Sequence, residues 1–298
     1  MTDSKPSKGV ETREKLTPQK FEAVTIPLMT PFIHKSRLVR VNEENLTRLV
    51  ARVLPSVNSL FPAGNAGEGP IMDFENWSQT VDITVKARDK HDLKNTFVVA
   101  GVLRKELSEI SEFSAEAERL NADGIVLAPM YGGNPEQALK AALKASTLPI
   151  ILYTNPDLHK NGELPVEFIE EARDTYPDRV VAIKSSTQNF SIFRKILALK
   201  NEKFKVLQGH TAFAAESLRM GADGIVPVQA NLEPKFFYNL YNDFKSGDTK
   251  AMEQGGNEVA RMIADMKVLK ETMGMGTAQI MKEQMQNMGH FSSNRMYK

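Results

Sequence analysis

Residues 180–189 have the sequence VVAIKSSTQN, in which four apolar residues are followed by one lysine and three small hydroxyl residues. An apolar run without alternating polar positions is typical of a strand that is covered on both faces, as in a parallel sheet flanked by helices. Lys184 closes this strand. A lysine in that place either extends into solvent or lies in a pocket where its amine takes part in a reaction.

Seven other short apolar runs share this character, and each is bounded by Gly, Pro, Asn or Asp. The eight runs span residues 23–29, 57–63, 96–102, 123–129, 148–154, 179–185, 204–209 and 223–229. The intervening segments 42–54, 106–120 and 165–176 have the apolar spacing of amphipathic helices, with acidic residues near the start. Eight such units within roughly 210 residues predict the α/β class and a closed (β/α)8 TIM barrel.

A weak internal repeat supports the barrel. The sequence NADGIVLAP at residues 121–129 returns as GADGIVPVQ at residues 221–229, in the fourth and eighth predicted strands. That spacing is half of an eight-stranded barrel. Chance is the alternative, because Ala-Asp-Gly before a buried strand is a common turn.

The pattern divides the chain into three parts. Residues 1–20 are polar and lack an apolar signal core, so we assign them to a flexible N-terminal extension. Residues 21–245 are assigned to the catalytic barrel. The pattern after residue 232 is purely helical and longer than one eighth helix requires, and residues 246–298 are assigned to a C-terminal helical segment.

The composition excludes several classes of function. Lys and Arg number 38 against 37 Asp and Glu, so no strong field favours nucleic acid or an anionic membrane. The chain has no cysteine, which excludes disulfides, thiolate zinc sites and cysteine nucleophiles. No apolar run approaches the roughly 18 residues that span a bilayer. We therefore expect a cytoplasmic protein without nucleic-acid or membrane partners.

The predicted strand ends gather several polar groups, and barrel enzymes carry their chemistry in the loops at those ends. Lys184 ends the sixth strand, Tyr153 ends the fifth, and Tyr131 follows the fourth. The Gly-rich turn at 64–69, after the second strand, exposes backbone N–H groups that can hold a carboxylate or a phosphate. All four features are expected on one rim of the barrel, the one formed by the C-terminal ends of the strands.

These residue types suit imine chemistry on a 2-oxo acid. A lysine amine in water, with a pKa of about 10.4, is protonated and inert, whereas burial beside apolar groups lowers the pKa of such amines. A neutral amine attacks a ketone, the resulting protonated imine accepts electrons, and a nearby phenol carries protons. A Gly-rich turn anchors the carboxylate. Lysine, tyrosine and turn together predict an aldolase or a related lyase.

Each feature also has an ordinary structural explanation. A single lysine at a strand end is more often a solvated charge than a nucleophile, a tyrosine before Asn-Pro more often packs, and GNAGEG alone is a turn. Their coincidence at the ends of strands two, five and six of one predicted barrel favours the functional interpretation.

The chain resembles the dihydrodipicolinate synthase/N-acetylneuraminate lyase family of class I, Schiff-base aldolases. The resemblance covers nearly the whole chain from about residue 22 and follows several motifs in order. They are MTPF (29–32), GNAGE (64–68), PMYGGNP (129–135), ILYTNP (151–156), AIKSS (182–186), LQGHT (207–211) and GADGIVPVQAN (221–231). The resemblance implies a TIM barrel with a C-terminal helical domain, and a homotetramer built from tight dimers.

The resemblance also implies roles for individual residues. Lys184 matches the imine-forming lysine and Tyr153 the catalytic tyrosine. Tyr131 matches the tyrosine that, in the synthases, reaches into the neighbouring subunit's site. The positions that match substrate-binding positions of the family are Gly64, Asn65, Ala66, Gly67, Gly209 and Val226.

One departure from the family lies in the Gly-rich loop. The family carries two hydroxyl residues where this chain has Asn65 and Ala66. One hydroxyl donor is therefore lost, and the threonine that relays a proton between tyrosines is replaced by an amide. Backbone N–H groups remain available to hold a carboxylate.

Two further departures bear on the second substrate. The synthases place an arginine shortly after the tyrosine motif, whereas residues 154–162 offer only His159 and Lys160. Sialic acid lyases place acidic residues after the strand-seven glycine, where this chain has His210 and Thr211. The chain therefore matches neither the synthases nor the sialic acid lyases in detail.

The sequence predicts a Schiff-base-forming lyase that acts on pyruvate or on a 2-oxo acid that releases pyruvate, of the sugar-acid aldolase or dehydratase type. Dihydrodipicolinate synthase is the second hypothesis, and a barrel without activity that serves as a binding protein is the third. Asn65 and Ala66 favour the third hypothesis, and the retained Lys184 and Tyr153 oppose it. The expected partners are a 2-oxo acid, an aldehyde and further copies of the chain. No metal or cofactor is expected, because the imine replaces a Lewis acid and the histidines show no ligand spacing.

Overall fold

A closed barrel of eight parallel strands lies at the centre of the computed structural model, which describes residues 16–35, 38–91, 96–129, 133–159 and 163–297. In chain order the strands are β1 (Thr25–Pro27), β2 (Phe32–Lys35), β3 (Leu38–Val41), β4 (Ser59–Phe61), β5 (Phe97–Arg104), β6 (Gly124–Pro129), β7 (Ile150–Thr154), β8 (Val180–Ser185), β9 (Lys205–Gln208) and β10 (Gly224–Ile225). The barrel runs in the order β1-β4-β5-β6-β7-β8-β9-β10, and a bridge between Val24 and Ile225 joins its last strand to its first. The predicted TIM barrel is confirmed.

Helices connect the barrel strands, as crossovers between parallel strands require. In chain order the helices are α1 (Glu43–Val53), α2 (Phe74–His91), α3 (Leu107–Arg119), α4 (Pro135–Ala145), α5 (Val166–Thr175), α6 (Phe190–Leu197), α7 (Ala214–Arg219), α8 (Pro234–Ser246), α9 (Thr249–Met273) and α10 (Thr277–Asn287). Helices α1–α7 lie between barrel strands, and α8–α10 follow β10. Helices α9 and α10 continue the chain after α8. Within the described ranges, no helix combines the length and the apolar character needed to cross a bilayer.

Short polar side chains determine where several helices begin. Asn42, Asn134, Asn189 and Asp248 each accept a hydrogen bond from a backbone N–H in the first turn of α1, α4, α6 and α9 respectively. Such caps satisfy donors that have no partner within the helix, and each stabilises the helix by about 1 kcal/mol. The chain therefore turns from a strand end into a helix at defined residues.

The barrel interior is filled by the inward-facing side chains of its strands. Val99 and Leu103 of β5 pack there against Val126 of β6 and Ile151 of β7. The alternate residues of the same strands pack against the surrounding helices. This division into an inner and an outer layer explains why the strands are apolar along their whole length.

The internal repeat has a structural basis. The Asp123 N–H donates to the Val98 carbonyl at 2.8 Å, and its carboxylate accepts from the Val98 N–H at 2.7 Å. Asp223 makes the same pair of bonds to Val206, each 2.9 Å long. At half-barrel spacing, each aspartate thus ties the start of one strand to the start of the preceding strand.

Strand β10 is shorter than the predicted run at 223–229. Pro227 has no N–H to donate to a ladder, so pairing ends at Ile225 and residues Val228–Asn231 form a 3-10 turn. Asn231 secures this turn to β1, because its amide donates to the Pro27 carbonyl at 2.8 Å. The rim after β10 is therefore a short turn of defined conformation.

Residues 16–20, which we assigned to the N-terminal extension, pack against the barrel. Leu16 and Phe21 are buried in the inner cluster. Leu16 lies so close to Gly124 that a methyl group there would come within 2.9 Å of it. These side chains cover the barrel at the N-terminal ends of its strands. Residues 1–15 lie outside the described residues.

The hairpin formed by β2 and β3 was not anticipated from the sequence. Its strands pair in antiparallel register, with Phe32 opposite Val41, between β1 and α1. The Phe32 ring is fully buried and contacts the Tyr297 ring edge to face, with 5.3 Å between ring centroids. The hairpin therefore packs against the C-terminal end of the chain.

A buried ion pair joins the C-terminal part of the chain to the Gly-rich loop. Lys282 of α10 is fully buried and donates to the Glu68 carboxylate, and at 2.9 Å to the Arg295 carbonyl. The Tyr297 N–H donates to the second Glu68 oxygen at 2.8 Å. Burial lowers the pKa of Lys282, against the opposing effect of Glu68. The conformation of the loop thus depends on residues more than 200 positions away.

We predict that Lys282→Ala lowers the free energy of unfolding by about 3–5 kcal/mol, because it leaves the Glu68 carboxylate buried without a counter-charge. Urea unfolding measures the change. The double variant with Glu68→Gln and Lys282→Met should recover most of the loss, and Lys235→Ala, on the exposed face of α8, should stay within about 0.5 kcal/mol of wild type. Equal stabilities for Lys282→Ala and Lys235→Ala would contradict this account.

Candidate active site

A cavity of about 640 Å³ opens at the C-terminal ends of the barrel strands. Six of the residues predicted from the sequence line it together, namely Asn65, Ala66, Tyr153, Lys184, Gly209 and Val226. Gly64 and Gly67 shape the loop that carries the first two. The parallel topology explains the gathering, since all strands of a parallel barrel end at the same face.

Lys184 and Tyr153 lie side by side on adjacent strands. The register of β7 and β8 shifts between Ile150 and Ile151, and beyond this irregularity Tyr153 pairs directly with Lys184. A bulge of this kind resets which residues face inward. Both side chains consequently enter the barrel at its C-terminal end.

The Lys184 amine is buried between two aromatic rings. Lys184 is only 5% exposed, and its Nζ lies 3.9 Å from the Tyr153 ring centroid and 5.1 Å from that of Phe61. In the part of the chain that the structure describes, no carboxylate pairs with this amine and no group hydrogen-bonds to it. Apart from the two rings, the amine therefore lies in the cavity without an ionic or hydrogen-bonding partner among those residues.

Gly209 makes room for the lysine. A methyl group on Gly209 would lie 2.6 Å from Lys184 Cε and 2.5 Å from Ser186 Oγ. Both distances are far shorter than van der Waals contact, so a side chain at position 209 would displace the amine. Val226, the other predicted backbone position, is buried, and its N–H donates to the Gln208 carbonyl at 2.8 Å.

The Tyr153 hydroxyl has a defined hydrogen-bond direction. Asn155 Nδ2 donates to the Tyr153 oxygen at 3.0 Å, and Asn155 Oδ1 accepts from the Asp157 N–H at 3.1 Å. Because the phenol oxygen accepts from Asn155, its own proton is free to be donated elsewhere. The buried Tyr153 ring contacts the Phe61 ring edge to face, with 6.4 Å between the ring centroids. The phenol is thus held as a donor beside the amine.

The Gly-rich loop presents two backbone N–H groups. The N–H groups of residues 67, 68 and 69 are already used, because they donate within the loop to the carbonyls of Gly64 and Asn65 at 3.0–3.1 Å. The N–H groups of Asn65 and Ala66 have no acceptor in the described part of the chain, and both residues line the cavity. Two adjacent N–H groups without a protein acceptor have the chemistry that carboxylate binding requires.

Close backbone contacts account for the glycines around this loop. Ala63 has a left-handed φ of 52°, and its carbonyl oxygen would lie 1.8 Å from a methyl group on Gly69 and 2.3 Å from one on Gly101. A methyl group on Gly67 would lie 2.5 Å from the Leu28 carbonyl oxygen. Only residues without a side chain allow the loop to fold this closely against β1 and β5.

Tyr131, His159 and Lys160 are further residues near the predicted strand ends that the sequence singled out. Tyr131 and Lys160 lie outside the described residues, so the role of Tyr131 stays a prediction. His159 does not line the cavity. Its ring nitrogens lie 2.9 Å from the Pro129 carbonyl oxygen and 3.3 Å from that of Tyr153, and burial lowers the pKa of its imidazole. This histidine supports the ends of β6 and β7.

Sequence reasoning missed the residues that cover the cavity. Helix α9 contributes Met266, Lys267 and Lys270, and residues 276–278 follow from the start of α10. Along the sequence these positions belong to an ordinary amphipathic helix, and nothing local indicates which face meets the barrel. Among the described residues, no group of three or more His, Asp or Glu side chains has the arrangement of a metal site.

We predict that Gly69→Ala lowers the free energy of unfolding by about 1–3 kcal/mol, because the new methyl group overlaps the Ala63 carbonyl. Gly276→Ala is the matched control: it also lies beside the cavity, but nothing is within 4 Å of the added group. Its cost should stay below about 1 kcal/mol. Denaturant unfolding compares the two variants, and coinciding midpoints would argue against the described loop conformation.

Comparison with known proteins places this geometry in a family. The model of the dihydrodipicolinate synthetase family matches residues 20–297. The 4-hydroxy-tetrahydrodipicolinate synthase of Geobacter sulfurreducens is 28% identical over 236 residues, which cover 76% of this chain and 77% of that protein. The protein of the same name from Geotalea daltonii is 29% identical over 242 residues, covering 78% and 79% respectively.

Solved structures show the same fold. The dihydrodipicolinate synthase of Bacteroides thetaiotaomicron aligns with a TM-score of 0.81, covering 93% of this chain and 91% of that chain. Its sequence is 22% identical to this one.

Proposed function

The chain belongs to the dihydrodipicolinate synthetase family, and from that premise we propose that it is a Schiff-base-forming lyase. Its substrate in this proposal is pyruvate, or a 2-oxo acid of the sugar-acid type that releases pyruvate. Lys184 is the nucleophile, Tyr153 carries protons, and the loop at 64–67 holds the carboxylate. No metal or cofactor takes part.

The buried amine of Lys184 is the observation that carries the proposal. It lies 3.9 Å from the centre of the Tyr153 ring, and no counter-charge pairs with it in the described part of the chain. A structural lysine would be expected to reach solvent or a carboxylate. An amine kept inside a cavity beside a phenol is suited to covalent catalysis.

In the proposed reaction the Lys184 amine adds to the ketone carbon of the 2-oxo acid and expels its oxygen as water, which leaves a protonated imine. During cleavage, the bond between C3 and C4 breaks and its electron pair enters the imine to give an enamine. The C4 hydroxyl loses its proton as the aldehyde forms. Tyr153 relays this proton and delivers one to the enamine carbon. Hydrolysis of the imine then releases pyruvate and restores the amine.

Backbone groups take over carboxylate binding in this proposal. Asn65 and Ala66 lack the hydroxyls of the family's loop, but both residues line the cavity, and their N–H groups have no acceptor among the described residues. Hydrogen bonds from N–H groups to a carboxylate are charge-assisted and about twice as strong as neutral ones. In this proposal the Tyr153 hydroxyl works without a threonine neighbour in the loop, and Asn155 donates the hydrogen bond that orients it.

A second candidate is condensation of pyruvate with an aldehyde that carries its own acid group, as in a 4-hydroxy-tetrahydrodipicolinate synthase, the name of the curated relatives. Lys267 and Lys270 of α9, at the edge of the cavity, favour it as cations that could meet a second carboxylate. The absence of an arginine from residues 154–162 opposes it. Assembly into a dimer or tetramer stays a prediction for either candidate.

We predict that borohydride reduction in the presence of pyruvate attaches one pyruvate to the chain, on Lys184. Intact mass spectrometry and peptide mapping measure the adduct. Lys184→Arg, which keeps the charge and nearly the size of the side chain, should form none. A folded wild type that gives no adduct with pyruvate or with longer 2-oxo acids would refute the proposal, and binding without catalysis would become the leading hypothesis.

A further inference from the structure

The tail that follows α10, residues 288–297, runs back to the barrel and ends beside the Gly-rich loop. Phe291 and Tyr297 of this tail are buried. Ser292 Oγ accepts a hydrogen bond from Asn45 Nδ2 of α1 at 2.8 Å, and the Tyr297 ring packs on Phe32 of the β2–β3 hairpin. The tail is therefore docked on the barrel at several points along its length.

Glu68 is the residue of the Gly-rich loop that receives the tail. One oxygen of its buried carboxylate accepts from the Lys282 amine, and the other accepts from the Tyr297 N–H at 2.8 Å. Lys282 is itself joined to the tail by its 2.9 Å bond to the Arg295 carbonyl. The Tyr297 hydroxyl makes a second contact near the loop, where it accepts from the Asp73 N–H at 3.0 Å. Groups of the C-terminal segment thus bind both oxygens of Glu68.

The backbone of Glu68 depends on these side-chain bonds. Its φ of 63° is left-handed, a conformation that residues with a side chain rarely adopt without outside support. In this conformation the Glu68 N–H donates to the Asn65 carbonyl at 3.1 Å and closes the turn. A Glu68 released from Lys282 and Tyr297 would be free to leave the left-handed region, and the bond to Asn65 would then be lost.

The turn that Glu68 closes contains the groups assigned to the substrate carboxylate. Asn65 and Ala66 lie between Gly64 and Glu68, and the closed turn fixes the directions of their N–H groups. Two hydrogen bonds to one carboxylate require both donors to point at the same place. An opened turn would keep the donors but lose this common direction, so it would bind a carboxylate more weakly.

We infer that the docked C-terminal tail, acting through Glu68, holds the Gly-rich loop in the shape that binds the substrate carboxylate. Tail docking and substrate binding then strengthen each other, because coupling between two binding events is reciprocal. The inference rests on the proposed function. Glu68, Lys282 and Tyr297 are positioning residues in it, since none of the three lines the cavity.

The first test measures trapping by cyanoborohydride, which reduces the imine and spares free ketones, as the pyruvate concentration is varied. A chain that ends at Met296 lacks the Tyr297 N–H and ring. Its half-saturating pyruvate concentration should rise about ten-fold or more, the effect of losing one hydrogen bond to a charged group. Acetone, a ketone without a carboxylate, reports on the Lys184 amine alone. Its trapping rate should stay within about two-fold of wild type, because the amine does not touch the tail.

Two further variants separate positioning from stability. Glu68→Gln combined with Lys282→Met removes both charges, and we expect it to keep most of the stability of wild type. It should raise the half-saturating pyruvate concentration and leave acetone trapping unchanged. Arg295→Ala is the matched control, because it shortens an exposed side chain of the tail but keeps the carbonyl that Lys282 contacts. It should behave as wild type with both ketones.

Hydrogen exchange of the wild type provides the reciprocal measurement, which needs no variant to fold. Saturating pyruvate should slow amide exchange in peptides from the tail by up to about ten-fold, since the coupling acts equally in both directions. Tail exchange that pyruvate leaves unchanged overturns the inference. A chain ending at Met296 with wild-type half-saturation, or with equal losses of pyruvate and acetone trapping, overturns it too. A wild type that fails to trap pyruvate would instead refute the proposed function.

Discussion

The placement of one lysine amine inside the barrel, between two aromatic rings, is the constraint on which the site depends. The register shift between β7 and β8 brings Lys184 beside Tyr153, and Gly209 on the next strand leaves space for the lysine stem. Asn155 then orients the phenol. The residues that these features position lie at the C-terminal strand ends, where a parallel barrel brings together residues that are distant in sequence. A change in any one of them moves the amine relative to the groups that a substrate would contact.

The opposite wall of the cavity depends on a second long-range constraint. The Gly-rich loop folds tightly because Gly69 and Gly101 allow close contact with Ala63, and in this fold the N–H groups of residues 65–66 have no acceptor within the described ranges. Glu68 continues the loop in a left-handed conformation, with φ of 63°, and is held by Lys282 and by the backbone of the C-terminal tail. The C-terminal segment therefore both covers the cavity, through α9, and secures the loop, through α10. In this arrangement Ala66 has no side-chain donor and Asn65 has an amide in place of a hydroxyl, whereas the backbone N–H groups of both residues remain in place.

Much of the fold and of the site could be predicted from local patterns. The eight apolar runs predicted the barrel, and the lysine of AIKSS and the tyrosine of ILYTNP were expected on one rim because parallel strands end together. The β2–β3 hairpin, the cover by α9 and the partner of Glu68 were not predictable, since each depends on tertiary packing across a long stretch of chain. The turn at Val228–Asn231 was not predicted, because the predicted strand ran to residue 229, whereas Pro227 ends it earlier. The Asp repeat was visible, but only the structure shows its shared contacts with Val98 and Val206.

The proposed chemistry requires that Lys184 and Tyr153 convert pyruvate into an enamine. Exchange of the pyruvate methyl protons in D2O, followed by proton NMR, tests it without knowledge of the aldehyde. We expect the wild type to catalyse exchange, Tyr153→Phe to slow it by about 100-fold or more, and Lys184→Arg to abolish it. Exchange by the wild type at the rate of buffer alone, or equal exchange by Lys184→Arg, would contradict the account.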